Sequence, residues 1–184
     1  YFPKDSFFEK ATLQVKQNGD TLVVGEDSLP LKKPFEINFT IPEMDSLQKA
    51  QSFIGKISQN GKAYFLSTKK EDNRWVGKSK SLGEFVVSRD SIAPKIVPLN
   101  FKNEQWLSNY SFLKFKIEDD YTGIKSYRGE INGKWILLEY EPKNNTLIFD
   151  FSDLDFEQAL HEVTIEAEDS VGNKTTFAID FYRK

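Results

Sequence analysis

This sequence lacks most of the residue types and motifs that carry reactive chemistry. It has no cysteine, which excludes disulfides, thiolate metal sites and a thiol nucleophile. It also lacks a glycine-rich phosphate loop and any Ser/His/Asp motif of the known hydrolases. No stretch approaches 18 consecutive apolar residues, so no segment has the pattern of a transmembrane helix. The net charge is only −3 and both signs are interspersed, which argues against a nucleic-acid-binding face.

What the sequence does contain is two copies of one pattern. The triplet Asn-Gly-Lys at residues 60–62 recurs at residues 132–134, 72 positions later. Further along, residues 82–87 resemble residues 160–165, where the offset has grown to 78. An insertion of six or seven residues around 152–158 would account for the growth. The repeat predicts two small β-modules in tandem, each long enough to fold as a domain.

Strand signals dominate both halves of the chain. Residues 35–41 and 112–117 alternate between apolar and polar side chains, the period-two pattern of a sheet with one buried face. The 16 phenylalanines suit a sandwich core with large inward-facing rings. The Asn-Gly pairs at 60–61 and 132–133 each predict a type I′ hairpin turn, because Asn-Gly accepts a positive φ at both central positions.

Two segments could contain short helices. Residues 45–54 admit either a capped helix with one apolar face or a loop that runs into a strand by residue 52. The internal repeat favours the loop. Residues 152–160 predict a second short helical turn, in which Ser152 caps and Asp155 lies three residues on, where a carboxylate favours a helix start.

The boundary between the two modules is predicted near residues 91–94, which read Ser-Ile-Ala-Pro. Proline extends the residue before it and cannot donate to a β-ladder. The division gives domains of residues 1–91 and 92–184, with turn signals every ~8–12 residues, typical of an immunoglobulin-like sandwich. We therefore expect an all-β chain of two tandem Ig-like or fibronectin-like β-sandwich domains, each of about seven strands.

Part of the chain resembles a known family. Residues 126–137 (Ser-Tyr-Arg-Gly-Glu-Ile-Asn-Gly-Lys-Trp-Ile-Leu) and residues 150–154 (Asp-Phe-Ser-Asp-Leu) carry the likeness. They resemble the non-catalytic C-terminal Ig-like β-sandwich region attached to some lysostaphin-type (LytM-like) zinc peptidases of Gram-negative bacterial envelopes. Residues 82–96 resemble the junction that leads into a bacterial Ig-like module, and residues 168–174 resemble the turn before its last strand. The likeness covers mainly residues 82–184.

The resemblance implies an appendage and no enzyme activity. Peptidases of this family share H-x-x-x-D and H-x-H motifs, which supply the protein ligands of a zinc ion. This chain has one histidine, His161, so the zinc constellation cannot be carried over, and any catalytic domain would precede Tyr1. We expect a processed piece of a longer, exported protein of the periplasm or cell surface, with no cofactor.

The titratable side chains offer one weak site. His161 begins a predicted strand and is expected to lie half-packed at a sandwich rim, with no serine or carboxylate partner fixed by a motif. Asp90, Asp119, Asp120 and Asp169 lie at predicted strand ends near the module junction or the module ends, where carboxylates from several loops could together bind calcium in a cadherin-like link between the modules. The sequence has no EF-hand loop, so a role in turns and caps is the alternative interpretation.

The three tryptophans could form a platform on which sugar rings stack. Trp106 lies in a loop-like stretch and is the best exposed candidate, although it could equally fill a module interface. Trp135 follows the second Asn-Gly turn among alternating apolar residues, so we expect it to pack in a core. Trp75 completes the set.

Three functional hypotheses follow. The first is a non-catalytic accessory, spacer or protein-docking region of an exported bacterial envelope protein, such as the C-terminal arm of a cell-wall peptidase. Its partner would be an upstream catalytic domain or an envelope protein. The second is a pair of carbohydrate-binding modules that contact cell-wall glycan through exposed aromatics. The third is a hydrolase that uses carboxylates alone, which needs a cleft of defined width between two acids.

Overall fold

The computed structural model describes all 184 residues and consists almost wholly of β-strands. Two compact units, Tyr1–Ser91 and Ile92–Lys184, make up the chain, and each is built from two sheets. The predicted fold class, all-β with two tandem Ig-like sandwiches, is confirmed. The one α-helix has six residues, and no helix of this structure could cross a membrane.

The first unit has eight strands and the α-helix. Its strands are β1 (Val15–Asn18), β2 (Thr21–Val24), β3 (Phe35–Thr40), β4 (Ser52–Ile57), β5 (Ala63–Leu66), β6 (Thr68–Glu71), β7 (Arg74–Ser79) and β8 (Gly83–Arg89), and α1 spans Ser46–Gln51. One sheet has the order β1-β2-β8-β4-β5 and the other has the order β3-β7-β6. All strand pairs in this unit are antiparallel.

The second unit has nine strands. They are β9 (Lys95–Pro98), β10 (Gln105–Trp106), β11 (Phe112–Glu118), β12 (Ile124–Ile131), β13 (Lys134–Ile136), β14 (Glu139–Glu141), β15 (Thr146–Asp150), β16 (Leu160–Asp169) and β17 (Lys174–Tyr182). One sheet has the order β10-β17-β16-β12-β13 and the other has the order β14-β15-β11-β9. Only β10 and β17 pair in parallel.

The strand order of the second unit is that of an immunoglobulin constant domain. The sheet β9-β11-β15-β14 corresponds to strands A, B, E and D, and β12-β16-β17 corresponds to C, F and G. In the first unit, β3-β7-β6 and β5-β4-β8 repeat the arrangement of β11-β15-β14 and β13-β12-β16. The two units differ in the strand on the other side of β8. In the first unit this neighbour is β2, which comes before β3 in the chain. In the second unit the corresponding neighbour of β16 is β17, the last strand.

Each unit has its own apolar core. In β3, Phe35 and Ile37 are buried while the residues between them face outward, and in β11 Leu113, Phe115 and Ile117 do the same. The alternation in the sequence therefore reports the buried face correctly. Burying each such side chain contributes roughly 1.5–3 kcal/mol relative to leaving it exposed.

The segment before β4 contains the helix that the internal repeat argued against. Helix α1 begins after Asp45, whose side chain accepts a hydrogen bond from the backbone N–H of Gln48 at 2.7 Å. This cap satisfies one of the free N–H groups of the first turn. The loop expected before residue 52 is wrong. The helix cap at Asp45 is a local interaction, whereas the internal repeat, which favoured the loop, begins only further along the chain. The second predicted helical turn, residues 152–160 with Ser152 as its cap, is wrong in extent and in cap. A 3₁₀ turn spans only Phe151–Asp153, and the side chain of Asp150 caps it by accepting from the N–H of Ser152.

The two Asn-Gly hairpins differ in geometry. Asn132 and Gly133 have φ values of +52° and +73°, as the predicted type I′ turn requires. In the other hairpin only Gly61, at +79°, has a positive φ. There the N–H of Gly61 donates to the carbonyl oxygen of Ser58, and Ser58 pairs with Lys62 across a three-residue loop. The type I′ prediction for residues 60–61 is therefore wrong, because the longer loop needs one left-handed residue instead of two.

Candidate functional site

Two aspartates of the second unit hold turns in the same way. The backbone N–H groups of residues 121–123 donate to Asp119 Oδ1 at 3.1, 2.8 and 2.7 Å. Those of residues 171–173 donate to Asp169 Oδ1 at 2.9, 2.7 and 2.8 Å. Each carboxylate thus replaces the missing backbone acceptors of a tight turn that follows a strand.

Within the second unit, the structure brings two of the three candidate calcium ligands together. A carboxylate oxygen of Asp119 lies within 4.8 Å of one of Asp169, which is fully buried. Asp120 is exposed and is not a member of this pair. The Oδ2 atom of Asp169 already accepts from the side chain of Asn173 at 2.7 Å. The role in turns is therefore present in the structure, and calcium binding stays a prediction.

His161 lies deeper than the sequence indicates. Only 3% of its surface is exposed, and it packs against the rings of Phe156 and Phe181. Its Nδ1 lies 2.9 Å from the amide nitrogen of Asn132, and its Nε2 lies 2.8 Å from the carbonyl oxygen of Gln158. A carbonyl oxygen can only accept and an amide nitrogen can only donate, so the proton belongs on Nε2. Both ring nitrogens are engaged within the unit, and neither is left for a proton-transfer role.

Trp106 is the most exposed tryptophan, with 59% of its surface accessible. The parallel pairing of β10 with β17 places it opposite Tyr182, and the two rings stack with centroids 5.2 Å apart and planes 24° apart. The N–H of Leu107 donates to the carbonyl oxygen of Tyr182 and fixes the end of this short strand. The tyrosine therefore supports one face of the indole ring, while much of Trp106 stays exposed to solvent.

Trp135 is exposed, contrary to the prediction that it packs in a core. It exposes 55% of its surface on the edge strand β13, opposite Glu130 of β12. The next residue, Ile136, points inward and is buried. The phase of this strand could not be predicted from the residues, because Trp135 and Ile136 are both apolar and only one of them can face the core.

The third tryptophan, Trp75, lines a cavity in the first unit that was not predicted from the sequence. A cavity of about 300 Å³ is lined by residues 41–44 (Ile-Pro-Glu-Met), Lys49, Asp72, Asn73 and Trp75. Trp75 exposes none of its surface, so it cannot serve as a stacking platform. Its Nε1 is the only buried side-chain nitrogen or oxygen of the chain that has no hydrogen-bond partner.

Lys70 contacts both the ring of Trp75 and the C-terminal end of helix α1. Its Nζ lies 5.1 Å from the centroid of the Trp75 ring and donates to the carbonyl oxygens of Lys49 and Ala50 at 2.7 Å each. These carbonyls belong to the last turn of α1, where a cation is favourable. Burial lowers the pKa of Lys70, and the nearby charge of Lys49 lowers it further. The ammonium group thus ties β6 to the end of the helix.

The fold and these sites define a tandem Ig-like β-sandwich protein. Residues 1–90, which make up the first unit almost completely, match a family described as the Zu5-like domain. No curated protein matches the chain.

Three solved structures show weak likeness to the chain. The fibronectin(III)-like modules of Clostridium thermocellum CbhA match at 11% identity and a TM-score of 0.39, over 83% of this chain and 86% of theirs. An endo-β-1,4-mannanase from Thermotoga petrophila matches at 11% identity and a TM-score of 0.42, over 52% of this chain and 20% of its own. The Clostridium perfringens spore cortex lytic enzyme SleM matches at 16% identity and a TM-score of 0.32, over 64% of this chain and 37% of its own. The chain thus spans about a fifth of the mannanase.

Proposed function

We propose that this chain is a non-catalytic accessory region of a longer, exported bacterial envelope protein, in which it acts as a spacer or protein-docking arm. One observation carries the proposal: the side chains best suited to chemistry are bonded within their own unit. His161 bonds Gln158 and Asn132, and the Asp119 and Asp169 carboxylates hold backbone turns. A general base or nucleophile needs a lone pair within reach of a substrate, and both ring nitrogens of His161 and the Oδ1 atoms of both aspartates are already engaged in the fold.

The more specific part of the proposal concerns the longer protein to which this chain belongs. The likeness of residues 126–137 and 150–154 to the region that follows LytM-like zinc peptidases supports a cell-wall peptidase upstream, with this chain as its C-terminal arm. An envelope protein bound by the arm is the other partner that this role implies. Both place the chain in the periplasm or on the cell surface.

Mass spectrometry of the native polypeptide tests this directly. The protein is captured from its source cells with an antibody to this chain, and its size and peptides are determined. A product much larger than 21.3 kDa, with peptides that contain H-x-x-x-D and H-x-H, supports the peptidase arm. A product of about 21.3 kDa without such peptides rules out the peptidase and leaves a stand-alone binding or structural protein.

Glycan binding is the second candidate, and the exposure of Trp106 favours it. An indole ring with support on one side and solvent on the other can stack on the apolar face of a sugar. Oligosaccharides and peptidoglycan fragments should then quench tryptophan fluorescence, and Trp106→Ala should abolish the quenching. Trp135→Ala is the matched control, because Trp135 is similarly exposed but lacks a stacked partner ring. Absence of quenching across the panel would remove this candidate.

A further inference from the structure

The unpaired N–H of Trp75 calls for a physical explanation. Buried tryptophan N–H groups usually find an acceptor, and one left without a partner destabilises the fold. No protein atom accepts from Trp75 Nε1, although the ring is completely buried. The same ring forms part of the wall of the 300 Å³ cavity, but Nε1 itself has essentially no accessible surface, so an external acceptor reaches it from this cavity only after a wall residue moves.

The cavity wall indicates which chemical group would suit it. Trp75 contributes a donor, Glu43 and Asp72 contribute acceptors, and Ile41 and Met44 contribute apolar surface. The wall carries two carboxylates and one ammonium group, that of Lys49, and this net negative charge disfavours an anionic guest. A neutral group that accepts at one end, donates at the other and carries a small apolar substituent matches all three features. A secondary amide with a methyl group, the acetamido group, has this composition.

We propose that this cavity binds the acetamido group of an N-acetylated sugar. The carbonyl oxygen accepts from Trp75 Nε1–H, the amide N–H donates to Asp72 or Glu43, and the methyl group packs on Ile41 and Met44. Lys49 and Asn73 remain for the sugar hydroxyls, which can both donate and accept. A cavity of this size lies at the lower end of the range for ligand sites, so it suits one sugar residue of a glycan.

Entry to this site requires a side chain to move. Trp75 has no exposed surface, and Met44 is a partly buried residue packed against the same core cluster. Methionine is unbranched and changes rotamer easily, so Met44 is the wall residue that can give way. The proposal goes beyond the accessory role and uses neither Trp106 nor Trp135.

The indole N–H resonances of the ¹⁵N-labelled chain provide the test, because its three tryptophans give three separate signals. Trp75→Phe, or the double variant Trp106→Phe with Trp135→Phe, assigns them. Titration with the trisaccharide of N-acetylglucosamine should shift the Trp75 signal in a saturable way, and cellotriose, which lacks the acetamido group, should not. No shift, or an equal shift with cellotriose, would overturn the proposal. A shift confined to Trp106 would also overturn it, while supporting glycan binding in the second unit.

Two further arms refine the result. N-acetyl-alanine methylamide supplies the same amide without a sugar, and an equal or tighter response to it would replace the sugar by a peptide and overturn the proposal. Asp72→Asn removes a carboxylate acceptor and should weaken trisaccharide binding about tenfold. Asparagine tolerates the φ of +43° at that position. Asp5→Asn is the matched control, because Asp5 also has a positive φ but does not line the cavity.

Discussion

Gly129 of β12 lies so close to Leu138 that a Cβ atom on the glycine would stand 2.5 Å from Leu138 Cδ1. Ile136, on the strand that pairs with β12, would lie 3.1 Å away. Leu138 and Ile136 are both buried, so neither can move outward without exposing apolar surface. The missing side chain at Gly129 therefore lets residues 136–138 pass from the edge of one sheet toward the other.

Gly129→Ala should destabilise the second unit by about 1–3 kcal/mol, since it overpacks a closed core. Urea unfolding measures the change as a lower midpoint. Leu138→Ala makes room for the new methyl group, so the two substitutions together should cost less than the sum of their separate effects. An unchanged midpoint for Gly129→Ala would show that the core can adjust at this position.

Asp169→Ala should cost the second unit about 3 kcal/mol, because three backbone N–H groups lose their common acceptor in a buried turn. Loss of one of two neighbouring negative charges offsets part of this cost. Asp169→Asn keeps an acceptor oxygen and should be milder. Asp120→Ala is the control, since Asp120 is exposed. Its free energy of unfolding, measured in urea, should stay within about 0.5 kcal/mol of that of the unmodified chain. Equal effects of the two alanine variants would contradict the role of Asp169 in the turn.

Calcium should raise the melting temperature of the chain if Asp119 and Asp169 serve as ligands. Extracellular calcium modules bind with dissociation constants of about 10⁻⁴–10⁻³ M, so millimolar calcium is the appropriate range. Asp119→Asn should abolish both the thermal shift and the heat of binding in isothermal titration. Magnesium at the same concentration is the control. Absence of heat and of any thermal shift would leave these carboxylates with a role in turns alone.

The two Asn-Gly hairpins should respond differently to alanine. Asn132 has a positive φ, its side-chain nitrogen bonds His161, and its side-chain oxygen accepts from the N–H of Glu162. Asn132→Ala should therefore cost about 3 kcal/mol, from the left-handed conformation and two lost hydrogen bonds. Asn60 has no positive φ and is exposed, so Asn60→Ala should cost about 1 kcal/mol. Urea unfolding measures the free energy of unfolding of both variants. Equal losses of stability would contradict the predicted difference between the two turns.

Stability of the second unit should fall in acid partly through Glu168. Hydrogen bonds from Lys125 and Lys174 lower the pKa of this carboxylate below its ordinary value of 4.5. The folded state therefore favours the ionised form. The stabilisation is complete above the ordinary pKa and is lost as the pH falls through the lowered pKa of the folded state.

Melting temperatures of the unmodified chain and of Glu168→Gln, measured across pH, test this. The difference between the two should be present at neutral pH, shrink below about pH 4 and decrease in high salt, because the ion pairs are accessible to solvent. A difference that is constant across pH would assign the effect of Glu168 to packing.

Much of the fold was predictable because it depends on local patterns. Alternating residues in β3 and β11 face the core as predicted, and the Asn132-Gly133 turn has the predicted geometry. Helix α1 was not favoured, because the internal repeat argued for a loop, although Asp45 caps the helix in the structure. Asp119 and Asp169 lie at strand ends as predicted, while their binding of calcium stays a prediction. Trp75, the side chain whose N–H has no partner, gave no signal in the sequence.

The sequence by itself determined that the chain is all-β, that its pattern repeats and that it lacks cysteine chemistry and a multi-histidine metal site. These properties follow from residue identity and from the period-two pleat of a strand. Only the tertiary structure decided that Trp135 faces solvent, that Trp75 lines a cavity and that β2 takes the position that β17 has in the second unit. Such outcomes depend on which strands become neighbours and which face of an edge strand is covered, and these contacts join residues far apart in the chain.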